Sequence, residues 1–353
     1  MRASELRELL SSVRDGSLSI DAALAQLGPG EQPPPGAASS AGEFDRVAEL
    51  SRLFAATGDA AEAVQLGIGD DAAILQPQAA PWVFSVDVAV EHVHFERRFA
   101  SWEQIGGRAF TAAISDLAAM GARPLAALCS LILPAGFPDL DFSALNRGLA
   151  GSATRYACPV IGGNLSSGRE VSITTTVIGL LQSRGLLRSG ARPGDAVYVT
   201  GPLGSAALGL QLLLRAETQR GASFIDAWRL PTARLDAGLL LAPWASAAVD
   251  VSDGALQDVG HIAAASSVAI ELESARIPSA PGFTELTREL GLDPLTLALL
   301  GGEDYELIYT LPPHVAVGPG TCIGRVLAGT PDVRVVDSQG DALSLLGRGY
   351  RHF

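Results

Sequence analysis

Hydrophobic residues along this chain recur in two rhythms, one of three to four residues and one of two. Phe44, Val47, Leu50 and Leu53 keep the longer spacing and predict a helix through EFDRVAELSRLF. Residues 102–121, WEQIGGRAFTAAISDLAAMG, predict a long helix that Gly121 stops. REVSITTTVIGLL, 169–181, has the β-branched content and the alternation of a strand. Other strands are predicted at 72–76, 82–88 and 125–133, with a helix around 140–156 and a strand-like turn at 158–163. The Arg192-Pro193-Gly194-Asp195 turn then opens a second series. Its strands are predicted at 196–200, 247–251, 268–273, 304–310 and 320–327, and its helices after Gly204, at 233–245, at 254–266 and near 284–299. Each half mixes strands and helices, which predicts an α/β (α+β mixed) fold in two domains, 43–185 and 186–353. Ahead of them, ELRELLSSVRDG and SIDAALAQLG predict a hairpin of short amphipathic helices within 1–27, with Ser19 as an N-cap. The proline-, glycine- and serine-rich stretch 28–42 reads as a flexible linker.

Composition narrows the chemistry. The chain has 353 residues, 48% of them hydrophobic, and a formal net charge of −13. That balance suits a globular protein with a sizeable core and argues against nucleic-acid or anionic-membrane partners. All 25 basic residues are arginine, because the chain contains no lysine. A P-loop lysine, a Schiff-base lysine and a lysine general base are thereby excluded. Cys129, Cys158 and Cys322 stand apart without metal-ligand spacing; Cys129 and Cys158 lie in apolar strand-like runs that suit buried thiols, and a reducing cytoplasm fits. No apolar leader and no run of 18 apolar residues is present, so a cytoplasmic protein without membrane spans is expected.

The remaining signal is acidic. GIGDDAAIL places Asp70 and Asp71 after two glycines, and Asp87 follows the apolar run Trp82 to Phe84. Successive side chains of an extended chain point to opposite faces, so only one of Asp70 and Asp71 can face a given site. Acidic loops recur as ISDLAAMGA at 114–122, VDVSDGALQD at 249–258 and GGEDYEL at 301–307. A polar turn accounts for any one of them, whereas their recurrence points to a hard-cation cluster. Asp116 sits among Ile114, Leu117 and Ala118, where a carboxylate is costly unless paired or metal-bound. Asp253 is compatible with a helix N-cap as well as with a ligand, and Asp195 and Asp258 read as turn or surface residues. The turn from Gly201 to Gly204 fits both a phosphate site at a helix N-terminus and ordinary α/β punctuation.

Taken in order, GIGDDAAIL, SVDVAVEHVHF, ISDLAAMGARP, IGGNLSSG, RSGARPGD, VDVSDGALQDVGHI and GGEDYEL resemble the signature set of the thiamine-monophosphate kinase family, in the aminoimidazole-ribonucleotide-synthetase superfamily. The resemblance runs from about residue 43 to Phe353. It implies a two-domain PurM-like fold, a homodimer whose N-terminal sheets pack together, and a nucleotide cleft without a Walker loop. It also implies ATP as co-substrate, thiamine monophosphate as acceptor and several Mg²⁺ ions. Catalysis would then be positioning and charge neutralisation, with no dedicated acid or base. By the resemblance, Asp71, Ser85, Asp87, Asp116, Asn164, Asp250 and Asp253 match metal positions, with Asp70 a weaker match. Gly163, Asn164, Arg188 and Ser252 match ATP contacts, and His94, Glu303 and Tyr350 match substrate contacts.

Three positions depart from the family pattern. Asn164 stands where aspartate is usual, Val86 where threonine is common and Ser167 where arginine often follows. They leave two alternatives open: another ATP-dependent kinase or synthetase of the superfamily, or a non-catalytic nucleotide-binding paralogue. The superfamily's cysteine-dependent enzymes fit less well, because no cysteine precedes Cys129 or follows Cys322.

Overall fold

The computed structural model describes residues 43–54, 62–315 and 318–344. The helices expected in 1–27, the linker 28–42 and Tyr350 lie outside the described residues. Helix α1 (Glu43–Leu53) is followed by a short antiparallel pair, β1 (Val64–Leu66) and β2 (Ile74–Leu75). A four-stranded sheet is then built from β3 (Trp82–Val90), β4 (Ala122–Pro134), β5 (Val160–Gly168) and β6 (Ser172–Leu181). Its order is β3-β6-β4-β5; β6 runs antiparallel to both neighbours and β4 pairs parallel with β5. Two helices, α2 (Trp102–Ala119) and α3 (Asp139–Arg155), belong to this half.

The second half carries a six-stranded sheet ordered β12-β9-β11-β7-β10-β8. Its strands are β7 (Ala196–Val199), β8 (Ala247–Asp250), β9 (Ala269–Glu273), β10 (Leu307–Leu311), β11 (Thr321–Leu327) and β12 (Asp332–Val336). All pairings are antiparallel except β12 with β9. The helices are α4 (Ser205–Leu214), α5 (Ala222–Arg229), α6 (Leu235–Leu241), α7 (Ala255–Ser266), α8 (Phe283–Glu289) and α9 (Pro294–Leu300). Among the described residues, no helix is long and apolar enough to cross a membrane.

Helix α2 joins the two halves. Ser101 and Gln104 close a capping box at its start, satisfying two otherwise unpaired backbone N–H groups. Residues on every side of the helix are buried, from Trp102 to Ala118, as for a helix enclosed by protein rather than lying on a surface. Its contact with α3 depends on glycine. A Cβ on Gly106 would stand 2.1 Å from the Leu145 carbonyl oxygen, and one on Gly148 would stand 1.9 Å from that of Glu103. The backbones therefore cross closer than any larger residue permits. Strand β3 alternates as a half-buried strand should: Val83, Ser85, Asp87 and Ala89 lie on the covered face, and Trp82, Phe84, Val86 and Val88 on the exposed one.

Candidate active site

A cavity of about 790 Å³ opens where α2, the end of β3, the end of β8 and the loop before β10 meet. Asp87, Asp116, Asp250, Ser252 and Asp253 line it. Ser85 Oγ donates to the Asp116 carboxylate, and Ser115 Oγ donates to Asp250 Oδ2 at 2.7 Å. Adjacent residues of one helix thus bind a strand from each half. Burial raises the Asp116 carboxyl above the usual carboxylate range, opposed by the Ser85 hydrogen bond and the Arg188 guanidinium. Asp250 is pushed up to about 6, first by burial and then by the negative charge of Asp116, with Ser115 and Arg188 opposing. Two carboxylates are therefore held near each other at an electrostatic cost, and Arg188 relieves only part of it.

The loop after β8 is shaped by Asp258. This residue, expected at a turn or on the surface, is buried, and its Oδ2 accepts from the Ser252 N–H at 3.1 Å and the Asp253 N–H at 3.3 Å. Burial, reinforced by the charges of Asp250 and Asp253, pushes its carboxyl up to about 7. It turns back from the first turn of α7 to hold the loop that precedes its own helix. The N-cap of α7 is Gly254, at φ 119°, so Asp253 does not cap it; the Asp253 side chain accepts from Gln257 Nε2 at 3.1 Å. Asp195, also expected at a turn or on the surface, ends the 192–195 turn but is buried, accepting from Ser246 Oγ at 2.6 Å and the Arg192 N–H at 2.9 Å.

On the neighbouring loop, Glu303 N–H donates to the Ser252 carbonyl and Tyr305 N–H to that of Val251, both at 2.9 Å. Glu303 lines the cavity, with its carboxylate held by Arg108 of α2 and by Trp228 Nε1 at 3.0 Å. His94 lines the cavity too, and its Nδ1 accepts the Val90 N–H at 3.1 Å. Val93, Phe95, Phe99, Leu210, Leu297 and Leu300 give it an apolar stretch of wall, with Glu96, Gln211, Asp293 and Thr296 also in the lining. One cavity therefore offers an oxygen-rich side and a side suited to a flat organic group.

Other predicted residues lie elsewhere. Asp71, Gly163 and Asn164 border a second cavity of about 1250 Å³, between α1, the 67–73 loop and the four-stranded sheet. Strand register explains the separation. Gly163 shares a row with Cys129, Thr175 and Asp87, three strand spacings or roughly 14 Å away. Asn164 shares the next row, with Ser130, Thr174 and Val88, on the opposite face. Within one chain the segments carrying Asp87, Asp116, Asp250, Asp253 and Glu303 thus meet at the first cavity, and the acidic loop at 67–75 stands apart from it. The turn from Gly201 to Gly204 is not a free anion site. Asp304 already occupies the start of α4, accepting from the Gly204 N–H at 2.6 Å and the Ala206 N–H at 2.9 Å. Sequence reasoning missed Arg108, Ser115, Trp228 and Asp304; only Arg108 and Ser115 left a trace, seven apart on a helix and hence on one face.

Among the described residues, no three His, Cys, Asp or Glu side chains form a group that could hold a metal alone. The donor set is nonetheless that of a hard cation: carboxylates drawn to one wall against their own repulsion. Mg²⁺ commonly binds through one or two carboxylates, waters and ligand phosphates, so such a set suffices.

The chain matches the family model described as AIR synthase related protein, N-terminal domain, over residues 69–181, and its C-terminal counterpart over 192–314. It is 34% identical over 336 residues to the thiamine-monophosphate kinase of Escherichia coli strain K12, spanning 88% of this chain and 98% of that protein. The solved thiamine-monophosphate kinase of Stenotrophomonas maltophilia K279a superposes with a TM-score of 0.74 at 34% identity, over 85% of this chain and 96% of that one. The structure "AaThiL complexed with AMPPCP and TMP" superposes with a TM-score of 0.73 at 32% identity, over 88% and 97% respectively.

Proposed function

The chain belongs to the thiamine-monophosphate kinase family, and from that premise we infer that it transfers the γ-phosphoryl group of ATP to the phosphate of thiamine monophosphate. The products are thiamine diphosphate and ADP. The observation that carries this reading is the two-sided cavity, with aspartates from both halves facing an apolar wall. The acceptor oxygen is already anionic near neutral pH, so the chain needs no strong base. Its task is to bring two anions together and hold them in line. Arg188, beside Asp116 and Asp250, supplies a fixed cation in a chain without lysine. Ser85 and Ser115 orient the two carboxylates. His94, Glu303 and the apolar wall take the acceptor's organic part. Asp87, Asp116, Asp250 and Asp253 would hold Mg²⁺, which when bound supplies neutralising charge for the phosphates.

The working unit in this reading is a homodimer closed on the exposed face of the four-stranded sheet. Phe84 and Val86 are each 63% exposed there, beside Trp82 and Val88. The cavity holding Asp71 and Asn164 opens on that same face, so a partner protomer would complete it. The buried thiols of Cys129 and Cys158 suit a cytoplasmic setting.

The test is to incubate the purified chain with ATP, Mg²⁺ and thiamine monophosphate and to quantify thiamine diphosphate by chromatography. Stoichiometric product with ADP is expected. Asp250→Asn should lower kcat by about a hundredfold or more. Its Tm should hold or rise, because the substitution removes a buried charge. Nucleotide occupancy without any thiamine diphosphate would overturn the reading in favour of a binding protein.

A further inference from the structure

Glu303 is held more tightly than a ligand contact on a loop requires. Its φ is 71°, a conformation that non-glycine residues seldom adopt. Two residues on, Tyr305 repeats it at 51°. Both side-chain oxygens are engaged: Arg108 donates to Oε1, and Trp228 Nε1 donates to Oε2 at 3.0 Å. Arg108 donates a second N–H to the Trp228 carbonyl, and its guanidinium lies 4.3 Å from the centroid of the Trp228 ring. Arg108 is only 5% exposed and is not part of the cavity wall, whereas Glu303 and Trp228 are. The Glu303 side chain keeps 29% of its surface accessible. A carboxylate offers about four acceptor positions, so two remain after the clamp is closed.

A salt bridge serving stability alone gains nothing from a strained partner at a cavity wall. Resting on the proposed acceptor, we infer that Arg108 and Trp228 are positioning residues that clamp Glu303, so that its free lone pairs meet the cationic and N–H-bearing rings of thiamine monophosphate. The clamp sets affinity for the organic half of the acceptor and leaves phosphoryl transfer to the aspartate wall. The rings do not change charge during transfer, so this binding is felt equally in ground and transition states. It is expressed in KM rather than kcat.

The test compares the full-length wild type with Arg108→Lys, Trp228→Phe and Glu303→Gln. Lysine keeps the charge but cannot span both partners, and phenylalanine keeps a ring without the N–H donor. Steady-state kinetics and calorimetric binding of unphosphorylated thiamine are measured on each. KM for thiamine monophosphate and Kd for thiamine should each rise about tenfold in the first two variants, with kcat and KM for ATP within about twofold. Combining Trp228→Phe with Glu303→Gln should add less than about twofold to the Glu303→Gln effect, because the clamp acts through that carboxylate. Variants that lose Tm while both KM values stay at wild type would overturn the inference, as would an equal fall in kcat. Should Arg108→Lys fail to fold, Trp228→Phe carries the test. A wild type that binds thiamine, loses it in Trp228→Phe and yields no thiamine diphosphate would keep the clamp and remove the kinase reading. A wild type that binds no thiamine would overturn the clamp.

Discussion

Asp304 shows how single residues in this protein are placed against their solvation preference. Burial pushes its carboxyl up to about 7, despite hydrogen bonds from the Gly204 and Ala206 N–H groups that favour the charged form; the nearby Glu306 and Glu303 add to the rise. The folded chain therefore binds this proton more tightly than the unfolded chain, whose carboxyl titrates near 4. The stability it contributes is full below that value and is lost as pH rises through about 7. Asp258 acts in the same direction. Metal-free protein should accordingly gain stability between pH 8 and pH 6, by no more than about 1.4 kcal/mol per pH unit for each such proton, and its Tm should rise with it. The gain should shrink in Asp304→Asn, and a steady loss over that range would contradict this account. Asn164 gives a second residue-scale prediction. Its amide offers a metal one carbonyl oxygen but no full charge, so Asn164→Asp should lower the Mg²⁺ concentration for half-maximal rate. An unchanged Mg²⁺ titration would show that position 164 does not reach a metal.

Helix α2 is the element on which the site depends, because Arg108, Ser115 and Asp116 all project from it. Its place is fixed by the glycine crossing with α3. Gly148→Ala would drive a methyl group against the Glu103 carbonyl, and backbone cannot rotate away as a side chain can. The two helices must then part, at about 1–3 kcal/mol. A urea titration should show the lower midpoint, and kcat should fall with it although position 148 is remote from the cavity. A normal kcat at reduced stability would mean that α2 does not have to sit so exactingly. The helix was legible from its 102–121 pattern, against 102–119 observed. Strand β5 was not: GGNLSS has turn composition, and only pairing along β4 extends it from Val160 to Gly168. Helix α5 and strand β12 left patterns too short to stand out.

At the scale of the molecule, the exposed sheet face is the surface on which the proposed homodimer would close. Phe84, Val86 and Val88 follow one another on alternate positions, an apolar strip that a lone chain leaves in water. Val86→Arg should set a charge in the middle of that strip and shift the protein to monomer in sedimentation velocity. Because the second cavity opens on this face, turnover should fall by about tenfold or more while the monomer's Tm holds. A dimer that survives the substitution would place the interface elsewhere.

The order of motifs in the chain was enough to indicate the family, the two-half α/β plan and most of the acidic positions, because spacing and residue type are local properties. The absence of lysine likewise directed attention to cations and arginine before any fold was known. What only the folded chain decided was which of those residues share a space. Asp87, Asp116 and Asp250 meet because α2 touches both sheets, and Asn164 departs because a shift of one residue along a strand reverses the face. Asp304 fills a helix start that the sequence left open to phosphate, and Arg108 finds Glu303 across 195 residues. Such pairings depend on packing between distant segments, which no local pattern encodes.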